Sequence, residues 1–162
     1  MSYISIVNIQ FCEASVSDIP VLIQHRLDFL EIVSGVQPAE DVERVSANLL
    51  QYFPAALADG SFKAVVAKDD AQIVATGGMI LYRRPANYNS PNGRVGYILN
   101  MYTVPTYRRQ GIGYGIMQRL IEIAKEESVD VLELHASSDG ESLYRRFGFH
   151  VHPVTNMVVK LV

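Results

Sequence analysis

Apolar residues recur along this chain with two periods, and the changes from one to the other divide it into elements. Residues 7–13 alternate loosely between apolar and polar, which predicts a first strand. Ser17 is a good N-cap, with Asp18 and Pro20 in the first turn of a helix. Ile19, Leu22, Ile23, Leu27 and Leu30 line one side of that helix to about residue 32, and Ser34-Gly35 breaks it. A second helix is predicted over 39–57, with Pro54 kinking or ending it. Residues 62–68 and 72–82 are rich in Val, Ile and Ala around Asp69-Asp70-Ala71 and read as a β-hairpin. Residues 83–93 (RRPANYNSPNG) form a turn-rich loop, and 94–104 a long strand. Ile116, Met117, Leu120, Ile121 and Ala124 recur at helical spacing within 113–127. A strand over 131–136 follows, then a short helix capped by Ser138 or Asp139 and running through Arg146. Strands at 147–151 and 156–161 complete the order. The pattern predicts one α/β domain over residues 1–162: a mixed, mostly antiparallel central sheet with flanking helices. The strand–helix–strand unit over 94–136 is a parallel crossover, expected to be right-handed.

Composition narrows the function classes. A chain of 162 residues, 49% hydrophobic and 19% charged, can bury a sizeable core. The formal net charge of −3 does not favour a general nucleic-acid binder. Cys12 is the only cysteine, so no intrachain disulfide or Cys-rich zinc site is expected. The four histidines are scattered, and no metal site is expected. No stretch is long and apolar enough to span a membrane, and MSYISIVNIQF lacks the pattern of a secretion signal. The expectation is a soluble cytoplasmic protein without a nucleic-acid or membrane partner.

The candidate chemistry starts at 104–120, VPTYRRQGIGYGIMQRL. Glycines at every second position open a helix directly behind two arginines. The first turn of a helix carries unpaired N–H groups and the positive end of its dipole. A phosphate satisfies those donors if the backbone can approach it closely. Gly111, Gly113 and Gly115 remove side chains from the approach, and Arg108 and Arg109 add charge. Pyrophosphate binding is the chemistry suggested. A P-loop is ruled out, because no Lys followed by Ser or Thr is present. A dinucleotide fingerprint fits poorly, because Ile116 stands where the third glycine belongs, although Glu133 lies at a suitable distance for a ribose contact. R-x-x-G-x-G is matched fully by Arg108-Arg109-Gln110-Gly111-Ile112-Gly113. A turn that serves only close helix–sheet packing is the alternative.

About thirty residues on, LYRRFGFHVHP places Tyr144 on a short helix just before Phe147-Gly148-Phe149. With the R-x-x-G-x-G turn, this resembles the GNAT superfamily of acetyl-CoA-dependent N-acetyltransferases. The resemblance extends over nearly the whole chain in element order and is specific at 99–120 and 132–149. It implies acetyl-CoA as co-substrate and no metal. It implies that pantetheine lies along Met101, Tyr102 and Thr103, where the long strand splays from the next parallel strand. The pyrophosphate would rest on backbone amides of Arg109, Gln110, Gly111, Ile112 and Gly113, with Tyr114 and Gly115 at the helix start and Arg108 flanking. Tyr144 matches the tyrosine that bonds the cofactor sulfur and protonates the leaving thiolate. The ordinary tyrosine pKa of about 10 is close to that of a thiol leaving group, so the transfer is feasible. A backbone N–H near 101–103 would stabilise the oxyanion. Many relatives carry Asn before the tyrosine helix as a pantetheine contact; here the place falls to Ser137 or Ser138.

The base that deprotonates the amine is less defined. No carboxylate lies between Arg94 and Val104, where Tyr97 and Asn100 stand instead. Glu133 is a candidate, with His135 on the same strand face; a satisfied partner or a water relay are the alternatives. The two N-terminal helices and the 83–93 loop are expected to shape the acceptor cleft. The resemblance implies a primary amine as acceptor, and a small molecule is expected in preference to a protein. The family often dimerises, which leaves a homodimer open. A non-catalytic CoA-binding module and a nucleotide-dependent oxidoreductase are the competing functions.

Overall fold

The structure is a computed structural model and describes residues 8–162. Strand β1 (Ile9–Glu13) leads through a 3-10 turn (Val16–Asp18) into helix α1 (Ile19–Ser34). Helix α2 (Ala39–Asp59) follows, then strands β2 (Phe62–Asp69), β3 (Gln72–Arg83) and β4 (Arg94–Thr103). A 3-10 turn (Pro105–Tyr107), helix α3 (Ile112–Glu126), strand β5 (Val131–Leu134) and helix α4 (Glu141–Arg146) complete the order. The sheet order is β1-β2-β3-β4-β5, antiparallel throughout except for the parallel β4–β5 pair. The mixed α/β architecture and the parallel crossover agree with the sequence reading. Val7, the first residue of the predicted opening strand, lies outside the described residues.

The sheet separates two apolar layers. On one face Ile19, Leu22 and Ile23 of α1 and Phe53 and Ala56 of α2 pack over Phe62, Ala64 and Val66. On the other, Ile112, Ile116, Met117, Leu120 and Ile123 of α3 pack over Val65, Ala67, Val74, Ala75, Met79 and Ile98, with Tyr144 of α4 at the margin. Burial of both faces explains why β2 reads as a continuous apolar run rather than an alternating one. Gly77-Gly78 in β3, a poor pair for a strand, serves both layers. A Cβ on Gly77 would stand 2.4 Å from Ile116, and one on Gly78 would stand 2.3 Å from the ring of Phe62.

Several predicted boundaries are corrected. Ser17 does not cap α1: Ser15 caps the 3-10 turn, its amide donating to Asp18 Oδ2 at 2.8 Å, and Asp18 is the N-cap of α1. Pro54 lies inside α2 without ending it. Gly140, rather than Ser138 or Asp139, is the N-cap of α4. The strands expected at 147–151 and 156–161 are not formed. Their Val-rich pattern suits a strand, but strand propensity is expressed only against a pairing partner. Among the described residues β5 pairs only with β4, and 151–162 are exposed.

The 83–93 loop is fastened by one carboxylate. Asp130, just before β5, accepts from the Ser90 hydroxyl (2.9 Å), the Asn92 amide (2.9 Å), the Asn92 side chain (2.8 Å) and the Arg94 amide (3.3 Å). These donors, the Asn92 side chain foremost, pull the Asp130 carboxyl down to about 2. A group whose folded pKa is depressed contributes stability above its unfolded value that is lost as pH falls through the folded one. Asp130 therefore stabilises the fold above about pH 4 and ceases to do so near pH 2. Asp130→Asn sets an NH₂ group against these donors. It is expected to lower the urea midpoint at pH 7, with the gap to the wild type closing as the pH is lowered towards 2. A gap that does not change with pH would contradict this account.

Candidate active site

The site is built where β4 and β5 part. Their pairing runs from Val95↔Val131 to Ile98↔Leu134 and stops there. Beyond Ile98, β4 continues to Thr103 with, among the described residues, only β3 as a strand partner. The divergence is accompanied by a bulge: Leu99 pairs with Gly78 and Tyr102 with Thr76, so Asn100 and Met101 together stand opposite Gly77. Asn100 adopts a left-handed conformation, φ 57°. Met101 turns under Gly77 into the α3 layer. Tyr102 faces the α1 layer, its ring centroid 4.8 Å from that of buried His25, and the His25 Nδ1 lies 3.3 Å from the Thr76 hydroxyl. Burial pushes the His25 imidazole down, against the pull of Asp28.

The chain leaves β4 through the glycine turn, and the structure gives the three glycines three different reasons. Gly111 is the N-cap of α3 and is left-handed (φ 79°, ψ 4°), with nothing among the described residues within 4 Å of where its Cβ would be. A left-handed residue followed by right-handed helix turns successive N–H groups into one concavity suited to an anion. Gly113 faces Leu143 of α4, 3.4 Å from its missing Cβ. Gly115 faces β1, where a Cβ would stand 2.2 Å from the ring of Phe11. The Gly115 amide already donates to the Gly111 carbonyl at 3.2 Å. Close packing thus accounts for Gly115, while the amides of Ile112, Gly113 and Tyr114 are first-turn donors without a helical acceptor.

The arginines divide similarly. Arg108 Nε donates to the Thr103 carbonyl at 2.9 Å, and its guanidinium lies 5.8 Å from the centre of the Tyr102 ring, so it ties the turn to the end of β4. Arg109 is exposed and left-handed, φ 63°. Gln110 donates to the Thr106 carbonyl at 3.3 Å.

Helix α4 sits beside this turn. Tyr114 stacks on Phe147, centroids 4.5 Å apart, and the Arg146 guanidinium lies over the same Tyr114 ring, 4.5 Å from its centre. Tyr144 is 9% exposed and meets Phe149 edge-on at 6.1 Å. Gly140 makes room for it, since a Cβ there would stand 3.0 Å from the Tyr144 ring. Burial alone pushes the Tyr144 phenol up, so it keeps its proton throughout the neutral range. Ser137 accepts the Gly140 amide at 3.2 Å, and Ser138 is exposed on the turn. The two sequence motifs, more than twenty residues apart, are thereby brought side by side.

Glu133 is placed differently from the free base the sequence reading allowed for. It accepts from Arg84 at 2.7 Å and from the Tyr82 hydroxyl at 3.2 Å, so it has a satisfied partner. Its cross-strand neighbour is Tyr97, whose hydroxyl bonds His135 Nδ1. Burial raises the Tyr97 phenol, against the pull of Arg26. Tyr97, Asn100 and His135 are visible in the sequence around the missing carboxylate, but the Tyr97–His135 hydrogen bond and the left-handed conformation of Asn100 are not. The signal for Asn100 was a turn-forming residue in the middle of a strand, YILNMYT.

A family model for the acetyltransferase (GNAT) family matches residues 27–149, and the chain belongs to that family. A predicted acetyltransferase from Clostridium acetobutylicum, crystallised with acetyl-CoA, is 32% identical over 93% of this chain and 96% of its own, with a TM-score of 0.83. A GCN5-related N-acetyltransferase from Ralstonia eutropha superposes with the same TM-score of 0.83 at 24% identity, over 94% of this chain and 99% of its own. The glucosamine-6-phosphate N-acetyltransferase of Arabidopsis thaliana shares the fold at 14% identity, over 96% and 99% of the two chains, with a TM-score of 0.71. No curated protein matches the chain. The fold and family are those of acyl transfer enzymes. Among the described residues no helix is long and apolar enough to cross a membrane.

Proposed function

We propose that this chain moves an acetyl group from acetyl-CoA to a primary amine by direct attack within a ternary complex. The observation that carries the reading is the meeting of two features: a helix start with free amides beside open space at Gly111, and the adjacent α4 with its buried, protonated Tyr144. The acceptor is read as a small-molecule amine and the compartment as the cytoplasm. Acetyl-CoA is a co-substrate, and no metal enters the scheme.

The donor set fits a pyrophosphate. The amides of Ile112, Gly113 and Tyr114 bind it, and the β4 edge over 101–103 runs along the thioester arm. The Val104 amide bonds the Val74 carbonyl, so by the antiparallel alternation Tyr102 turns its own amide and carbonyl to β3, and Met101 and Thr103, whose carbonyl already accepts from Arg108, are the main-chain contacts there. The amine nitrogen attacks the thioester carbonyl carbon, and the electron pair moves to oxygen, where a β4 amide stabilises it. Collapse breaks the carbon–sulfur bond, and the thiolate takes the Tyr144 hydroxyl proton. The attacking amine gives up its own proton towards solvent. Glu133, paired with Arg84, is poorly placed to take it, and the Tyr97–His135 pair on the same strand face offers the route.

Initial rates of thiol release over a panel of small amines test the reading. Intersecting double-reciprocal lines are expected for direct transfer. Parallel lines would point to an acetylated enzyme instead. Tight CoA binding with no turnover over a broad panel would favour a non-catalytic CoA-binding module.

A further inference from the structure

Asn100 carries an inference that the acyl-transfer reading does not use, and that rests on it. Its side-chain carbonyl oxygen is buried and has no hydrogen-bond partner among the described residues. A buried acceptor without a donor is costly in the free protein. The backbone adds to the cost, because φ is 57°. Glycine is the usual occupant of a left-handed bulge position, at no steric cost. Asn is tolerated in that conformation chiefly because its side chain bonds nearby backbone. Here that compensation is missing for the oxygen.

Its place in the fold gives the oxygen a use. Asn100 is two residues past Ile98, the last β4 residue paired with β5, and so stands at the mouth of the wedge between the strands. The bulge pairing of Asn100 and Met101 against Gly77 sets this side chain off from the regular alternation of β4. A strained residue with an unsatisfied polar atom at a ligand wedge is a device held for the bound state.

We propose that the Asn100 side-chain carbonyl accepts a hydrogen bond from an N–H of the ligand seated in the β4–β5 wedge. Two N–H sources share this chemistry, the attacking amine and an amide of the pantetheine arm. The amine is the better match: a neutral carbonyl orients its lone pair without the charge that would hold it as an ammonium ion.

Two variants test this. Asn100→Gly keeps the left-handed bulge and removes the oxygen; Asn100→Asp keeps an acceptor. The unliganded Gly variant is expected to melt at or above the wild-type temperature. If the donor is the amine, its kcat/KM for the amine falls about tenfold or more while the Kd for CoA is unchanged, and the Asp variant recovers part of the loss. If the donor is the pantetheine amide, the Kd for CoA rises by a similar factor instead. A Gly variant equal to the wild type in both constants overturns the inference, as does one whose losses track a lowered melting temperature. A wild-type protein that neither binds CoA nor acetylates any amine overturns the acyl-transfer reading, and this inference with it.

Discussion

Tyr144→Phe is expected to lower kcat by about 10²-fold or more and to leave CoA affinity essentially unchanged, since a positioned general acid contributes roughly 10²–10⁴-fold. The reasoning separates ring from hydroxyl. The ring packs into the α3 layer and against Phe149, and phenylalanine keeps those contacts. Only the proton donor is lost, so the thiolate must leave unprotonated or take its proton from water. The pH dependence follows from the burial of the phenol. Because its pKa lies above the ordinary tyrosine value, the wild-type kcat should show no loss from this group until the pH exceeds about 10. The variant should melt close to the wild type, which distinguishes lost chemistry from lost structure. An unchanged kcat would remove Tyr144 from the mechanism.

Gly111→Val is expected to act on the other half of the site. At φ 79° a β-branched residue is strained by about 1–2 kcal/mol. Relief of that strain rotates the helix start and disperses the N–H groups of Ile112, Gly113 and Tyr114. Where the turn holds, the valine side chain fills the space above it, which is open in the structure. Hydrogen bonds to a charged partner are worth about 1.5–3 kcal/mol each, so the loss of one or two weakens CoA binding by roughly 10²-fold. The kcat at saturating acetyl-CoA should fall far less than the affinity, the reverse of the Tyr144 variant. Unchanged affinity would mean that the turn serves packing alone, as it does at Gly115.

The contrast between Gly111 and Gly115 shows what the amino-acid sequence can carry. Both stand in the same run, and periodicity placed the start of the helix within one residue of where it is observed. Their separate roles depend on what lies opposite, Phe11 in one case and open space in the other, and Phe11 is about a hundred residues away in the chain. The fold class was legible because each element keeps its period, and the hairpin because Asp69-Asp70 breaks the run between two apolar segments. The closing strands were misread because their apolar pattern suits pairing, while the partner edge is a tertiary matter. Glu133 was legible as an acidic residue on a strand face. Its ion pair with Arg84 was not, because Arg84 belongs to a loop whose path is set by the four hydrogen bonds to Asp130. Tyr144 could be placed on its helix from the Phe-Gly-Phe that follows, and its nearness to the glycine turn then follows from the packing of Leu143 against Gly113.

The central claim is that the start of α3 and the β4–β5 wedge hold acetyl-CoA. Calorimetric titration of acetyl-CoA into the protein, with a parallel melting curve, tests it most directly. One saturable site per chain is expected, with stabilisation of about 2.7 kcal/mol at a hundredfold excess over Kd. No heat of binding and no shift in melting temperature at millimolar acetyl-CoA would contradict it.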